Sequence, residues 1–214
     1  KEILTLGSIA SDYNSNQISH RLIHDDPTQC GGFLYTPARE FYNGMFVLLP
    51  AGGFETLHQY SDLTLNLPQI ANENAKIQIY NGTKRGGAAG ETKQILKRFC
   101  FDITRFGNGR NKEIPETTYY YKEKKDAEGN VISKRPLALD FLQKLIPGKE
   151  SLVLPQEYLD AGYLNETDLI IEIGADYANT DKYIADPFYS LPIYAPSLPT
   201  TPITEEPPTT EETQ

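Results

Sequence analysis

Apolar and polar residues alternate over Lys76–Tyr80, and this twofold period predicts a half-buried β-strand. Asn81 and Gly82 follow, two residues that tolerate positive φ, so the strand is expected to end there. A glycine-rich turn then leads into a helix that is expected to begin at Gly87 or Ala88. Its narrow apolar stripe recurs at helical spacing and consists of Ala88, Thr92, Ile95, Leu96 and Phe99.

The chain after this helix carries further strand and helix patterns. Their order predicts strand, helix, strand, strand, helix, strand from residue 75 to residue 178. A hairpin is expected over 119–134, because three consecutive tyrosines favour a strand on one side of a turn at 126–130. The remaining patterns are strands over 101–109, 117–122 and 168–177, and a helix over 136–146.

The ordered series from AKIQIYNGTKRGGAAG at 75–90 to DLIIEIGADY at 168–177 resembles the LytR C-terminal domain. That module follows the catalytic domain in many LytR-CpsA-Psr cell-envelope proteins. We expect an α+β fold, with residues 75–178 forming a ferredoxin-like βαββαβ sandwich. In that arrangement two split βαβ units place both helices on one face of an antiparallel sheet.

Residues 1–67 precede this module, and GGFLYTPAREFYNGMFVLLPAGGFETLHQY at 31–60 resembles the closing part of a LytR-CpsA-Psr catalytic domain. Enzymes of that family transfer lipid-linked glycopolymers to peptidoglycan, and arginines and aspartates hold the pyrophosphate and a divalent metal. The corresponding arginine-rich run does not occur here, and Arg21 and Arg39 are isolated. We therefore expect no catalytic residues in this fragment, although the full-length protein is expected to be a phosphotransferase if a catalytic domain precedes it.

The charge of the chain is unevenly distributed. The net charge of −9 argues against nucleic-acid binding, but residues 84–135 hold 13 Lys and Arg against 7 Asp and Glu. The last 29 residues hold 5 acidic residues and no Lys or Arg. A basic centre raises the question of an anionic partner, and a solvated charged face is the alternative.

The turn after the first strand is the candidate binding site for such an anion. A loop that opens a helix offers free backbone N–H groups and the positive end of the helix dipole. Lys84 and Arg85 add charge, although the turn lacks the P-loop pattern because Ala88 stands where a lysine is needed. The structural alternative is that the glycines only let strand and helix pack closely. The predicted ligand-binding set is Asn81, Gly82, Thr83, Lys84, Arg85, Gly86 and Gly87.

Other chemistry is weakly indicated, and we expect no cofactor and no metal. His20 and His24 are four residues apart, but no third ligand accompanies them. Cys30 and Cys100 are the only cysteines. Because Cys100 ends an apolar helical stripe, a buried free thiol is the expected state, with a disulfide as the alternative.

The resemblance implies an extracytoplasmic accessory module of the cell envelope that binds or positions wall glycopolymer or peptidoglycan. The alternatives are a structural module that self-associates through a sheet edge or the tyrosine-rich strand, and a phosphotransferase fragment. Membrane attachment is expected only through an upstream anchor that has been removed. Residues 186–214 are predicted to form a Pro/Thr/Glu-rich tail. Its first part, 186–199, is more apolar and is expected to pack back onto the body.

Overall fold

The computed structural model describes residues 21–125, 127–128, 131–133, 135–162, 167–181 and 183–191. Within these residues the helices are Gly53–Ser61 (α1), Pro68–Glu73 (α2), Ala88–Arg98 (α3), Ala138–Leu145 (α4), Gln156–Asp160 (α5) and Ala175–Ala178 (α6). The strands are Leu34–Tyr35 (β1), Leu49–Pro50 (β2), Lys76–Asn81 (β3), Asp102–Asn108 (β4), Thr118–Tyr120 (β5), Lys124–Lys125 (β6), Val131–Ser133 (β7), Lys149–Ser151 (β8) and Leu169–Ile173 (β9). None of the described helices is both long and apolar enough to cross a bilayer.

A five-stranded mixed sheet forms the body, with strand order β4-β3-β9-β5-β8. Strand β3 runs parallel to both β4 and β9, whereas β5 is antiparallel to β9 and parallel to β8. All five residues of β9 are buried, as expected for a central strand that is covered on both faces. The same covering buries every residue of β3 except Lys76, so the prediction that this strand is half-buried is wrong.

Helices α3 and α4 pack on the same face of this sheet, which confirms the α+β class. Their apolar stripes meet Ile77 and Ile79 of β3 and Ile171 of β9 in the main core. Each helix connects two neighbouring parallel strands, and the right-handed crossover that such units favour accounts for the shared face.

The pairing of the strands differs from the expected ferredoxin-like arrangement. A split βαβ unit needs another strand between its two parallel strands, but β3 lies directly beside β4, and β5 lies directly beside β8. Strand β9 enters the sheet between the two units instead. The polar edge strand β8, with the sequence Lys-Glu-Ser, has no apolar period and was absent from the sequence prediction.

The second face of the sheet carries a smaller core of Tyr80, Tyr120, Leu154, Tyr158 and Ile170. Within it the fully buried Glu172 accepts hydrogen bonds from the hydroxyls of Tyr158 at 2.7 Å and Tyr120 at 3.1 Å. The tyrosine-rich strand was a candidate contact surface, and this prediction is wrong. The strand lies inside the sheet. Its side chains Tyr119, Tyr120 and Tyr121 are all buried.

The buried phenols predict a loss of stability in alkali. Burial raises the pKa of Tyr119 well above 10.0, and burial also raises that of Tyr177. The neutral phenols therefore contribute stability that is fully present below the unfolded pKa, and it is lost as the pH rises from there through the raised folded pKa. We expect the free energy of unfolding from urea titrations to be constant in this respect below about pH 9 and to fall as the pH rises beyond about 10, the pKa of an unfolded tyrosine. Tyr119→Phe should reduce this fall, and an unchanged pH dependence in that variant would contradict the assignment.

The segment before β3 is tied to the body by a disulfide between Cys30 and Cys100. The prediction of a free Cys100 thiol is therefore wrong. Cys100 follows the end of α3 with a φ of 70° and donates its N–H to Lys97, while Phe101 donates to Leu96. This pair of hydrogen bonds is a Schellman motif, and the left-handed turn it contains directs the chain away from the helix at Cys100.

Residues 68–74, between the preceding segment and β3, contain α2. Both carboxylate oxygens of Glu73 accept backbone N–H groups at the start of α4, from Leu137 at 2.8 Å and Ala138 at 2.9 Å. This cap satisfies two donors that a helix N-terminus leaves open. The predicted hairpin turn falls partly outside the described residues. The two short strands β6 and β7 pair beside it, but two of the tyrosines expected on one side of the hairpin belong to β5, which pairs with β9 and β8 instead.

Residues 178–191 without 182, here called the C-terminal clasp, run alongside α3. Asp186 forms a bidentate ion pair with Arg98, and both side chains are buried. Arg98 also donates from Nε to the Pro27 carbonyl at 2.8 Å, and its guanidinium lies over the Phe188 ring. Residues 186–191 of the predicted tail thus pack on the body as expected, and the rest of that tail lies outside the described residues.

Candidate functional site

The parallel strands β3 and β4 end side by side, at Asn81 and Asn108. Helix α3, which connects them, begins close to this edge. Crevices beyond the carboxyl ends of parallel strands are common ligand sites in sheets with helical connections. This edge therefore contains the predicted anion-binding turn and is the first place to look for a site.

The Asn-Gly-Thr sequence folds the turn around the side chain of Asn81. Its Oδ1 accepts from the Thr83 N–H at 3.0 Å and from the Thr83 hydroxyl at 2.8 Å, while its Nδ2 donates to the Arg85 carbonyl at 2.7 Å. A Cβ on Gly82 would lie 2.6 Å from the Ile114 side chain and 2.8 Å from the Ile173 carbonyl oxygen. Asn81, Gly82 and Thr83 are buried and hold the turn in shape.

The turn ends at Gly87, which precedes α3 with a φ of 81°. Among the described residues no side-chain hydrogen bond caps this helix, so its first N–H groups are available to a ligand or to water. Gly86 is exposed, and a Cβ there would meet nothing within 4 Å. The predicted helix start is confirmed at Ala88.

The two basic residues of the turn have different partners. Lys84 pairs with Glu113 at 2.6 Å, and both side chains are about three-quarters exposed. Arg85 donates from Nη1 to the Ala178 carbonyl at 2.9 Å, and its guanidinium carbon lies 3.7 Å from the centre of the Tyr183 ring. The Tyr183 hydroxyl in turn donates to Glu91 at 3.0 Å, and burial and this hydrogen bond raise its pKa.

A shallow crevice opens between the start of α3 and the end of β4, and we call it the carboxyl-end crevice. Two of the predicted residues, Asn81 and Gly87, line it. The other lining residues were missed by the sequence prediction: Ala89, Gly90, Phe106, Gly107 and Asn108.

Phe106 supplies an aromatic wall to this crevice. The side chain is 47% exposed, and the Lys93 ammonium lies 4.3 Å from its ring centre. Gly90 faces this ring at ordinary contact distance, and a Cβ on Gly107 would meet nothing within 4 Å. Lys112 donates to the Asn108 side chain, which brings a second cation to the rim. The crevice thus combines an aromatic ring, amide groups, bare glycine backbone and cations.

A sequence signal for the missed residues does exist. Asn108-Gly109 ends β4 as Asn81-Gly82 ends β3, and the Gly109 N–H donates to the Asn81 carbonyl at 2.8 Å. The duplication could have been recognised, but only the parallel pairing of the two strands shows that the two ends are adjacent.

The histidine and acidic residues near Cys30 stabilise their own loop. His24 Nε2 lies 2.9 Å from the Cys30 carbonyl oxygen, and the Asp26 N–H donates to His24 Nδ1. Hydrogen bonds from Thr28 hold the pKa of Asp26 below its ordinary value. Among the described residues no group of His, Cys, Asp and Glu could hold a metal ion, and His20 lies outside them.

Comparison with protein families gives one match to the part of the chain that carries this crevice. The model described as LytR cell envelope-related transcriptional attenuator matches residues 74–177, from two residues before β3 into α6. No curated protein and no solved structure matches the chain.

Proposed function

Residues 74–177 form a LytR C-terminal domain of the cell-envelope family, and on this basis we propose that the module binds an anionic wall glycopolymer or peptidoglycan at the carboxyl-end crevice. The family is that of a non-catalytic domain, which is consistent with a role in binding or positioning. The proposal places the module outside the cytoplasm.

The disulfide supports this location. Disulfides persist in oxidising compartments and are rare in the cytosol of mesophiles. Cys30 is exposed and pairs with Cys100 across 70 residues of sequence. A structural disulfide is therefore expected of a protein that works in the envelope.

The observation that carries the proposed function is the composition of the crevice. A sugar ring presents apolar C–H groups on its faces and hydroxyls at its edges. Phe106 offers a surface for a face, and the side-chain amide of Asn108 lies where it can meet hydroxyl groups. Lys93 and Lys112 at the rim supply the charge that attracts phosphate or carboxylate groups of a polymer.

The predicted anion-binding turn adds to this arrangement. Gly87 joins the turn to the crevice, so an anionic group of a polymer lying there can reach the start of α3. Lys84 and Arg85 bring positive charge to the same end of the sheet. Charge-assisted hydrogen bonds to a guanidinium are stronger than neutral ones and make binding sensitive to salt.

Blocking the crevice tests the proposal. Gly107→Val adds a side chain where the structure leaves open space, and valine suits a strand, so the fold should be kept. We expect the dissociation constant for isolated cell walls, measured by cosedimentation, to rise by about tenfold, which corresponds to about 1.4 kcal/mol. Ala161→Val, an exposed position outside the crevice, is the matched control and should bind like the wild type. Equal binding by all three proteins would exclude the crevice as the site.

A structural module that self-associates is the second candidate, because no described residue pairs with the outer edge of β4. Two features of β4 oppose edge pairing. The strand carries Asp102 and Arg105, and its register with β3 shifts between Ile77 and Gln78. Charges and bulges on edge strands hinder association. A dimeric molar mass in solution together with no wall binding would favour this candidate.

The interpretation of residues 1–67 as the end of a catalytic domain stays a prediction, which the comparisons do not test. The phosphotransferase activity of a longer protein also stays a prediction.

A further inference from the structure

We propose that Tyr183 is a positioning residue for Arg85, so that the anion-binding turn is complete only when the C-terminal clasp is docked. Tyr183 lies beyond the segment that the family model matches. The binding test of this role rests on the proposed function. The restriction of Arg85 by Tyr183 is tested separately, by a measurement that needs no ligand.

The described contacts of the Arg85 side chain do not neutralise its positive charge. Its contacts are the Ala178 carbonyl and the face of Tyr183, both uncharged groups of the clasp. Among the described residues Arg85 makes no ion pair, in contrast to Lys84, which is bound to Glu113. A guanidinium has five N–H donors, so one bond to Ala178 leaves donors for a phosphate or carboxylate oxygen.

The ring of Tyr183 restricts where this guanidinium can lie. A flexible arginine loses side-chain entropy when it binds a ligand, and a stacked guanidinium has lost part of that entropy beforehand. The Glu91 carboxylate accepts a hydrogen bond from the Tyr183 hydroxyl at 3.0 Å. Tyr183 thus supports Arg85 with its ring and is itself held to α3 by its hydroxyl.

The position of Tyr183 is itself fixed by the rest of the clasp. Tyr183 meets α3 at Glu91, and Asp186 meets it at Arg98. Seven residues of helix rise about 10.5 Å, and three residues of extended chain span about 10 Å, so the segment from Tyr183 to Asp186 is long enough to reach both contact points on α3. The buried Arg98–Asp186 pair anchors one end, and the Tyr177 ring, 5.2 Å from that of Tyr183, supports the other.

The binding test uses the full chain and an oligomer of glycerol phosphate as the probe. Tyr183→Leu keeps bulk but removes the aromatic face, and we expect it to raise the dissociation constant about two- to fivefold. Tyr183→Phe keeps the face and should bind within about twofold of the wild type. In an Arg85→Ala background, Tyr183→Leu should have no further effect. An equal loss in both backgrounds, or in the phenylalanine variant, would overturn the inference.

A second measurement separates this inference from the proposed function. The Arg85 Nε–H resonance should be resolved in the wild type and in Tyr183→Phe and should be averaged by motion in Tyr183→Leu. If the wild type fails to bind the oligomer while this pattern holds, the proposed ligand is wrong and the positioning role stands. If the resonance is the same in all three proteins, Tyr183 does not position Arg85.

Discussion

Replacing Arg98 with leucine is expected to lower the free energy of unfolding by about 3–5 kcal/mol, because it leaves a buried carboxylate without an opposite charge. The side chains of Arg98 and Asp186 are 4% and 5% exposed, and two hydrogen bonds of 2.8 and 2.7 Å join them. The substitution also removes the donor to the Pro27 carbonyl and the cation over Phe188. Urea unfolding followed by circular dichroism measures the loss.

Two variants test whether the unpaired charge is the cause. In Arg98→Leu with Asp186→Leu both charges are gone, and the double variant is expected to be more stable than Arg98→Leu alone. Lys84→Ala breaks an exposed ion pair instead and should change stability by less than about 1 kcal/mol. A loss below about 1 kcal/mol for Arg98→Leu would show that water reaches Asp186 and that the clasp is not anchored there.

Local sequence patterns predicted the strands and helices of the module better than they predicted which strands lie side by side in the sheet. The alternation over 76–80 and the stripe from Ala88 to Phe99 correspond to β3 and α3. Each pattern depends on contacts within a few residues of sequence. The insertion of β9 between β3 and β5 depends on strand pairing over about a hundred residues, which no period in the sequence records.

The residues of the candidate site also divide into those predicted from a local pattern and those brought together only by the fold. The turn at 81–87 was predicted from its glycines and its place between strand and helix. Phe106, Gly107 and Asn108 were assigned only to a strand, because their role follows from β4 lying directly beside β3. The neutral partners of Arg85 come from the clasp, about ninety residues later in the sequence.

The cysteines were misjudged for a related reason. The apolar stripe of α3 correctly placed Cys100 at the helix end, and burial of a thiol was the natural consequence. The positive φ at this residue turns the chain outward, and the Cα atoms of Cys30 and Cys100 come within 4.6 Å. The spacing of the two cysteines in the sequence predicts neither the left-handed turn at Cys100 nor the close approach of the segment that carries Cys30.

Replacing Cys30 and Cys100 with serine is expected to lower the free energy of unfolding by about 4 kcal/mol. The disulfide closes a loop of 70 residues, and its main effect is to restrict the unfolded chain. In the folded protein the ends of this loop stay close through other contacts, since the Gly31 N–H donates to the Arg98 carbonyl at 2.9 Å. The variant should therefore fold to the same structure with a lower urea midpoint.

The comparison of oxidised and reduced wild-type protein provides the control for this prediction. Dithiothreitol should lower the urea midpoint of the wild type and leave that of the double serine variant unchanged. If the loss came from side-chain packing at Cys30 or Cys100, serine would destabilise the protein and reduction would not. Since Phe33, Tyr60 and Phe99 form a ring cluster beside the bridge, with centroids 5.0 to 6.5 Å apart, their packing should survive in the reduced wild type. A reduced protein as stable as the oxidised one would mean that this cluster, and not the covalent bond, holds the preceding segment on the module.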